Sequence, residues 1–159
     1  MFTLRCTAKL LRRLRVTADT PSGPPSTVLG DWYANLLFTR PQLVLVVSDR
    51  TLLPVLVPVR DSRRLVMRIR EAVGHMLRAL GVPDEAITVE QNAMLDVVIG
   101  KTASRRVLGS MNDFSFMLDA YRGHGTLLEV ALHLAETPCR PLKMSSPRIE
   151  TLRVFEVRP

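Results

Sequence analysis

The chain opens with an alternating apolar and polar stretch, Phe2–Arg5, that predicts a short strand. Thr7 stands where a helix N-cap belongs, because its hydroxyl can accept from a free amide of the first turn. Leu10, Leu11 and Leu14 then form one apolar stripe, with Lys9, Arg12 and Arg13 towards solvent. Gly30–Phe38 fits two descriptions. Asp31 can cap a short helix, or Trp32 and Tyr33 can belong to a strand; the helix is the preferred reading. Gln42–Val47 is an apolar β-branched run, Ser48-Asp49-Arg50 a turn, and Thr51–Val57 a second such run. Together they predict an antiparallel hairpin. Pro54 and Pro58 cannot donate to a ladder, so the second strand belongs at an edge or a bulge.

The clearest helical periodicity covers residues 62–80. Leu65, Val66, Ile69, Ala72, Val73, Met76, Leu77 and Leu80 share one face, and Arg64, Arg68, Glu71, His75 and Arg78 share the other. Gly81 suits a left-handed stop. Pro83-Asp84-Glu85 starts another helix that runs to about Met94, since proline and acids favour a first turn. Leu95–Lys101 predicts a strand. Ser104 can cap a helix with Val107, Leu108, Met111, Phe114, Leu118 and Tyr121 on one face, which breaks at Gly123 and Gly125. Thr126-Leu127-Leu128-Glu129 is a capping box, followed by a nearly all-apolar helix to about Glu136. Thr151–Val157 alternates and predicts a last strand. The expected fold is α+β: a small, mainly antiparallel sheet centred on the 42–57 hairpin, with about four or five helices packed on one side.

With 159 residues, the chain has the length of a single domain spanning 1–159. Residues 18–27, ADTPSGPPST, form a flexible loop too short to separate domains. Apolar residues make up 47% and charged residues 23%, which excludes disorder throughout. No apolar run approaches the roughly 18–20 residues of a membrane span. Met1–Arg15 lacks the continuous apolar centre of a secretion signal. A cytoplasmic protein without a membrane partner is expected. Cys6 and Cys139 are too few and too far apart for a metal motif and are expected as two reduced thiols.

The net charge of +7 points to an anionic partner, and its distribution sharpens the point. Residues 1–16 carry Arg5, Lys9, Arg12, Arg13 and Arg15 with no acid. Residues 59–80 set six arginines against Asp61 and Glu71, whereas residues 81–100 carry four acids and no base.

Catalytic signatures are sparse. There is no phosphate-binding loop, dinucleotide fingerprint, nucleophile elbow or metalloprotease motif. Gly100-Lys101-Thr102 resembles the tail of a phosphate loop, but position 95 is leucine where that loop needs glycine. No metal site and no cofactor are expected. Two constellations remain. In the first, Trp32 and Tyr33 can stack on a base or ring while Asp31 and Asn35 orient it; the plainer alternative is a capped helix with aromatic core anchors. In the second, Lys101, Thr102, Ser104, Arg105 and Arg106 gather at a helix start that favours an anion, with Asn112 and Asp113 two turns on. Here the plainer alternative is capping and packing.

FTLRCTAKLL, LGDWYANLLF, GKTASRRVLGSMNDF and LAETPCRPL, in that order along the chain, resemble an uncharacterised bacterial family known as a domain of unknown function. The third block is also similar to proteins carried on plasmids and insertion elements. The resemblance implies a bacterial, cytosolic, single-domain protein and transfers no activity. Three functions follow from the residues. The first is a nucleic-acid or polyanion binding and regulatory module using Arg5, Lys9, Lys101, Arg105 and Arg106. The second is a small enzyme on a phosphorylated or nucleotide substrate, with Asp31 or Asp113 as base. The third is a protein-interaction module such as a toxin–antitoxin component.

Overall fold

The computed structural model describes every residue except Ser22, which falls in the 18–27 loop, Arg122 and Pro159. Five strands form one sheet: β1 (Phe2–Cys6), β2 (Trp32–Leu37), β3 (Leu43–Ser48), β4 (Pro54–Pro58) and β5 (Val97–Lys101). Their order is β4-β3-β2-β1-β5. Around it lie α1 (Ala8–Leu14), α2 (Leu65–Leu80), α3 (Asp84–Ala93), α4 (Arg105–Tyr121), α5 (Leu127–Ala135) and α6 (Pro147–Val154), with short 3-10 turns at Ser62–Arg64 and Arg140–Leu142.

The sheet is mixed rather than mainly antiparallel. β1 runs parallel to both β2 and β5, while β2–β3 and β3–β4 are antiparallel. Local patterning finds hairpins, but β1 and β5 reach their partners through long connections that contain helices, as parallel pairing requires. The 42–57 hairpin forms as expected, yet it fills one side of the sheet and β2 takes the centre. β4 is the edge strand that its two prolines demand. The helices, six α-helices among the described residues, are not confined to one side. All six residues of β3 are buried, and successive strand side chains point to opposite faces, so both faces are covered.

Three local expectations are corrected. Gly30–Phe38 holds a strand, not a helix, because Trp32, Ala34 and Leu36 on one face and Tyr33 and Leu37 on the other are all buried between strands. The 151–157 stretch lies in and beyond α6, not in a strand. Ser146 caps that helix by accepting from the Ile149 amide at 3.2 Å, and Pro147 fits its first turn. Thr7 makes no cap; its hydroxyl donates instead to Asn35 Oδ1 at 2.8 Å. The remaining helix signals hold. Gly81 ends α2 with φ +95°, Ser104 accepts from the Val107 amide at 3.3 Å, and Thr126 accepts from the Glu129 amide at 3.1 Å.

The chain enters the central strand through a segment held from α3. Glu90 is only 1% exposed, and its two carboxylate oxygens accept from the amides of Val28, at 2.7 Å, and Leu29, at 2.9 Å. Arg50 grips the same segment by donating to the Thr27 and Val28 carbonyls. Burial pushes the Glu90 carboxyl above its ordinary range, against the opposing pull of the two amides and of Arg50. A carboxyl raised in this way stabilises the fold most below its ordinary pKa and loses that contribution as pH rises through the raised value. Glutamine does not titrate. In chemical denaturation, the stability of the wild type relative to Glu90→Gln is therefore expected to decline as pH rises above the ordinary glutamate range; a difference that grows with pH would contradict the assignment. Glu90→Ala, which leaves two amides without acceptors, is expected to cost about 2 kcal/mol or more.

Candidate functional site

The parallel strands bring several of the candidate residues into one polar seam. Arg5 on β1 and Tyr33 on β2 stand in register, as do Arg5 and Gly100 on β5. Asp31, at the head of β2, accepts from the Thr3 amide at 2.9 Å through one oxygen and from Arg5 Nε at 3.4 Å through the other. Both side chains are largely shielded, with 21% of Arg5 and 13% of Asp31 exposed. Arg5 also donates to the Lys101 carbonyl at 3.1 Å, so one guanidinium ties together β1, β2 and β5. Gly100 beside it has no room for a side chain. A Cβ there would stand 2.7 Å from Thr3 Cγ2 and close to Asp19 and Pro21 of the 18–27 loop. That loop covers the edge of β5, where the Asp19 amide donates to the Ile99 carbonyl at 2.7 Å.

The same seam sets the start of α4, where the Ser104 amide donates to the Tyr33 hydroxyl at 3.0 Å. Arg5, Asp31 and Ser104 are thus brought to one seam; Lys101 gives it only a carbonyl, since its register with Cys6 turns its side chain to the other face, and Asn35 is held by Thr7. Two of them, Arg5 and Asp31, are occupied with each other and with the backbone. Trp32 lies on the opposite face, wholly buried in the core, with no partner for its Nε1. Arg106 turns away to the Asp49 carbonyl at 2.8 Å. Thr102 is half-buried, and Arg105 and Asn112 are exposed on α4. Asp113 stands apart, in a cleft shared with the 139–145 loop. Lys9 lies 5.0 Å from the ring centroid of Phe38, which is 71% exposed just beyond β2.

A second grouping was not legible in sequence. β4 is antiparallel to β3, and β3 to β2, so β1, β2, β4 and β5 all point the same way. Their carboxyl ends deliver the chain to basic segments: Lys9 and Arg13 after β1, Arg40 after β2, Arg60 and Arg63 after β4, Lys101 after β5. Arg13 and Arg60 line one cleft of about 380 Å³, walled by Pro41, Gln42, Pro58 and Val59. Leu14 and Val16 from the first basic segment also meet Ser62 and Arg63 from the second in a neighbouring cleft. Among the described residues, Arg13, Arg40, Arg60 and Arg63 form no ion pair and no side-chain hydrogen bond. The opposite end of the sheet carries Asp31, Asp49 and Asp96, held to the strands by their own backbone bonds. The sequence signal was the pair of basic segments; what brings them together is the strand direction.

Neither thiol offers a nucleophile. Burial pushes Cys6 up to about 12, and burial with the nearby Asp113 charge pushes Cys139 up to about 11. Among the described residues no group of three or more His, Cys, Asp or Glu side chains could hold a metal ion. No helix among them is long and apolar enough to cross a membrane.

Two outcomes are expected. In the native protein at neutral pH both cysteines react with iodoacetamide far more slowly than in the unfolded chain; rapid labelling of either would show an accessible thiolate. Asp31→Ala, which strands the Thr3 amide and Arg5, lowers stability by about 2 kcal/mol or more in denaturant titration. A change within about 0.5 kcal/mol would remove Asp31 from this role.

No curated protein and no solved structure matches the chain at a significant level. Residues 3–150, nearly the whole chain, match the family described as Domain of unknown function (DUF6933), and the protein belongs to that family.

Proposed function

We propose that the protein binds a polyanion, nucleic acid foremost, at the carboxyl end of its sheet. The observation that carries this reading is that Arg13 and Arg60, from the two separate basic segments, line one cleft without an acidic partner. Charges that serve the fold are paired in this molecule, as Arg5 is with Asp31 and Arg78 with Asp84. A guanidinium that costs self-repulsion and contributes no internal contact is suited to a phosphate, which its planar fork can bind through two hydrogen bonds. In open sheets, ligands bind outside the carboxyl ends of the strands, where several loops converge. The exposed Phe38 ring, with Lys9 over it, adds a surface on which an unpaired base can stack. Lys101 and Arg105 extend the basic surface towards α4. Arg5 and Arg106 contribute through their internal bonds rather than by direct contact.

The test is a binding titration of the full chain with single-stranded DNA, double-stranded DNA and RNA oligomers at about 50 mM and about 200 mM salt. Binding is expected to weaken steeply with salt. The double variant Arg13→Ala/Arg60→Ala is expected to bind on the order of tenfold more weakly at low salt and to reduce the log–log salt slope by about two. Phe38→Ala is expected to affect single-stranded ligands more than duplex. Lys101→Ala/Arg105→Ala reports whether the start of α4 takes part. No binding of any of the three oligomers at the lower salt would overturn the reading.

A further inference from the structure

A cleft on the far side of α4 has different chemistry. It encloses about 250 Å³ between α4, which contributes Ser110 and Asp113, and the loop after α5, which contributes Cys139, Arg140 and Met144. The volume is below the roughly 300–1,000 Å³ of pockets for drug-sized molecules and suits a small metabolite. The loop is closed on itself. The Cys139 amide donates to the Ser145 carbonyl at 3.0 Å, and the Met144 amide returns to the Cys139 carbonyl at 2.9 Å. Its geometry holds Lys143 and Met144 at φ 54° and 65°, a left-handed pair of residues that are not glycine.

Three observations point to a ligand. Asp113 and Arg140 face the cleft from different elements, and neither forms an ion pair among the described residues. Ser110, only 5% exposed, lines the same space and makes no side-chain hydrogen bond among them, although Ser115 one turn on bonds back to the Met111 carbonyl. The Ser110 hydroxyl opens onto the cleft, where it is free to bond a ligand. Cys139 is not the reactive centre: its thiol is 8% exposed and donates to the Thr137 carbonyl at 3.3 Å.

We propose that this cleft binds a free α-amino acid, with the ligand's ammonium on Asp113, its carboxylate on Arg140 and the Ser110 hydroxyl bonding between them. An anion alone would meet the Asp113 charge, and an amine alone would leave Arg140 unsatisfied. A small zwitterion meets both, and the Met144 side chain supplies an apolar wall for the ligand's own side chain.

The experiment is isothermal titration calorimetry of the full chain with each of the common L-amino acids, with ethylamine and acetate as single-charge controls. Saturable binding of at least one amino acid is expected, and neither control should compete with it. Asp113→Asn and Arg140→Gln are each expected to weaken that binding at least tenfold, and Ser110→Ala by a smaller factor. Asp113 and Arg140 are exposed, so the melting temperatures of their unliganded variants should match the wild type; a clear fall would assign the residues to the fold and overturn the proposal. The Arg13→Ala/Arg60→Ala variant should bind the amino acid normally, which separates this test from that of the polyanion site. Binding of ethylamine as strongly as the amino acid, unaffected by Arg140→Gln, would replace the zwitterion with a simple cation. Absence of binding by every amino acid would overturn the proposal.

Discussion

The parallel pairing of β1 with β2, Leu4 against Trp32, gives the molecule its two ends. A hairpin would have returned the chain beside β1 after a tight turn. The parallel arrangement instead requires a connection from one end of the sheet to the other, which α1 and the 18–27 loop provide. Once β1 and β2 agree in direction, β5 can join β1 in the same sense, and the β3–β4 hairpin restores that sense in β4. Four strands then end together. Asp31 secures this junction where it begins. It joins the head of β2 to the Thr3 amide and to Arg5, and Arg5 carries the link on to β5.

Charge follows the same geometry. At the amino end of the sheet, acids are held in place and paired, as Asp31 is with Arg5 and Asp49 with Arg106. At the carboxyl end, arginines from α1, the β2–β3 connection and the segment after β4 gather with a single acid, Asp61, which pairs with Arg64. Exposed like charges at this spacing repel one another, weakly in salt and more strongly in its absence. The hydrophobic core carries that cost, because β3 and nearly all of β2 and β4 are buried.

How much could be read from the chain depended on the range of the interaction responsible. The α2 helix, the β3–β4 hairpin, the edge position of β4 and the caps at Ser104 and Thr126 are set within a few residues, and the sequence shows them. β2 was misread because Asp31 looks like a cap when only its neighbours are considered. Its true partners, Thr3 and Arg5, lie more than 25 residues away in sequence. Thr7 misled in the same way, since Asn35 takes its hydroxyl from across the sheet. The expectation of an α+β fold with a mainly antiparallel sheet and four or five helices on one side was sound in combining helices with one sheet and wrong in strand direction and helix number, and direction is what places Arg13 beside Arg60. Arg5, Asp31 and Ser104 were singled out as chemistry and lie along one seam, where Arg5 and Asp31 spend their polar atoms on one another; the Lys101 side chain, in register with Cys6, points to the other face.

The two candidate sites share no residue, and only the Asp113 cleft is lined by α4. Ser104 anchors its start against Tyr33, and Val107, Met111, Phe114 and Leu118 bury one face, so the helix is rigid where it carries Asp113. At 1.5 Å per residue, Asp113 stands about 13 Å along the axis from Ser104, beyond a Debye length at physiological salt. Each site also excludes the other's ligand by charge. A chain of phosphates is repelled from the cleft by Asp113, and a simple amine is repelled from the arginines at the carboxyl end. A zwitterion small enough for the cleft carries no net charge to be drawn to the basic surface. On the two proposals this separation needs no gate or moving part, since the unpaired acid and the unpaired arginines line different clefts.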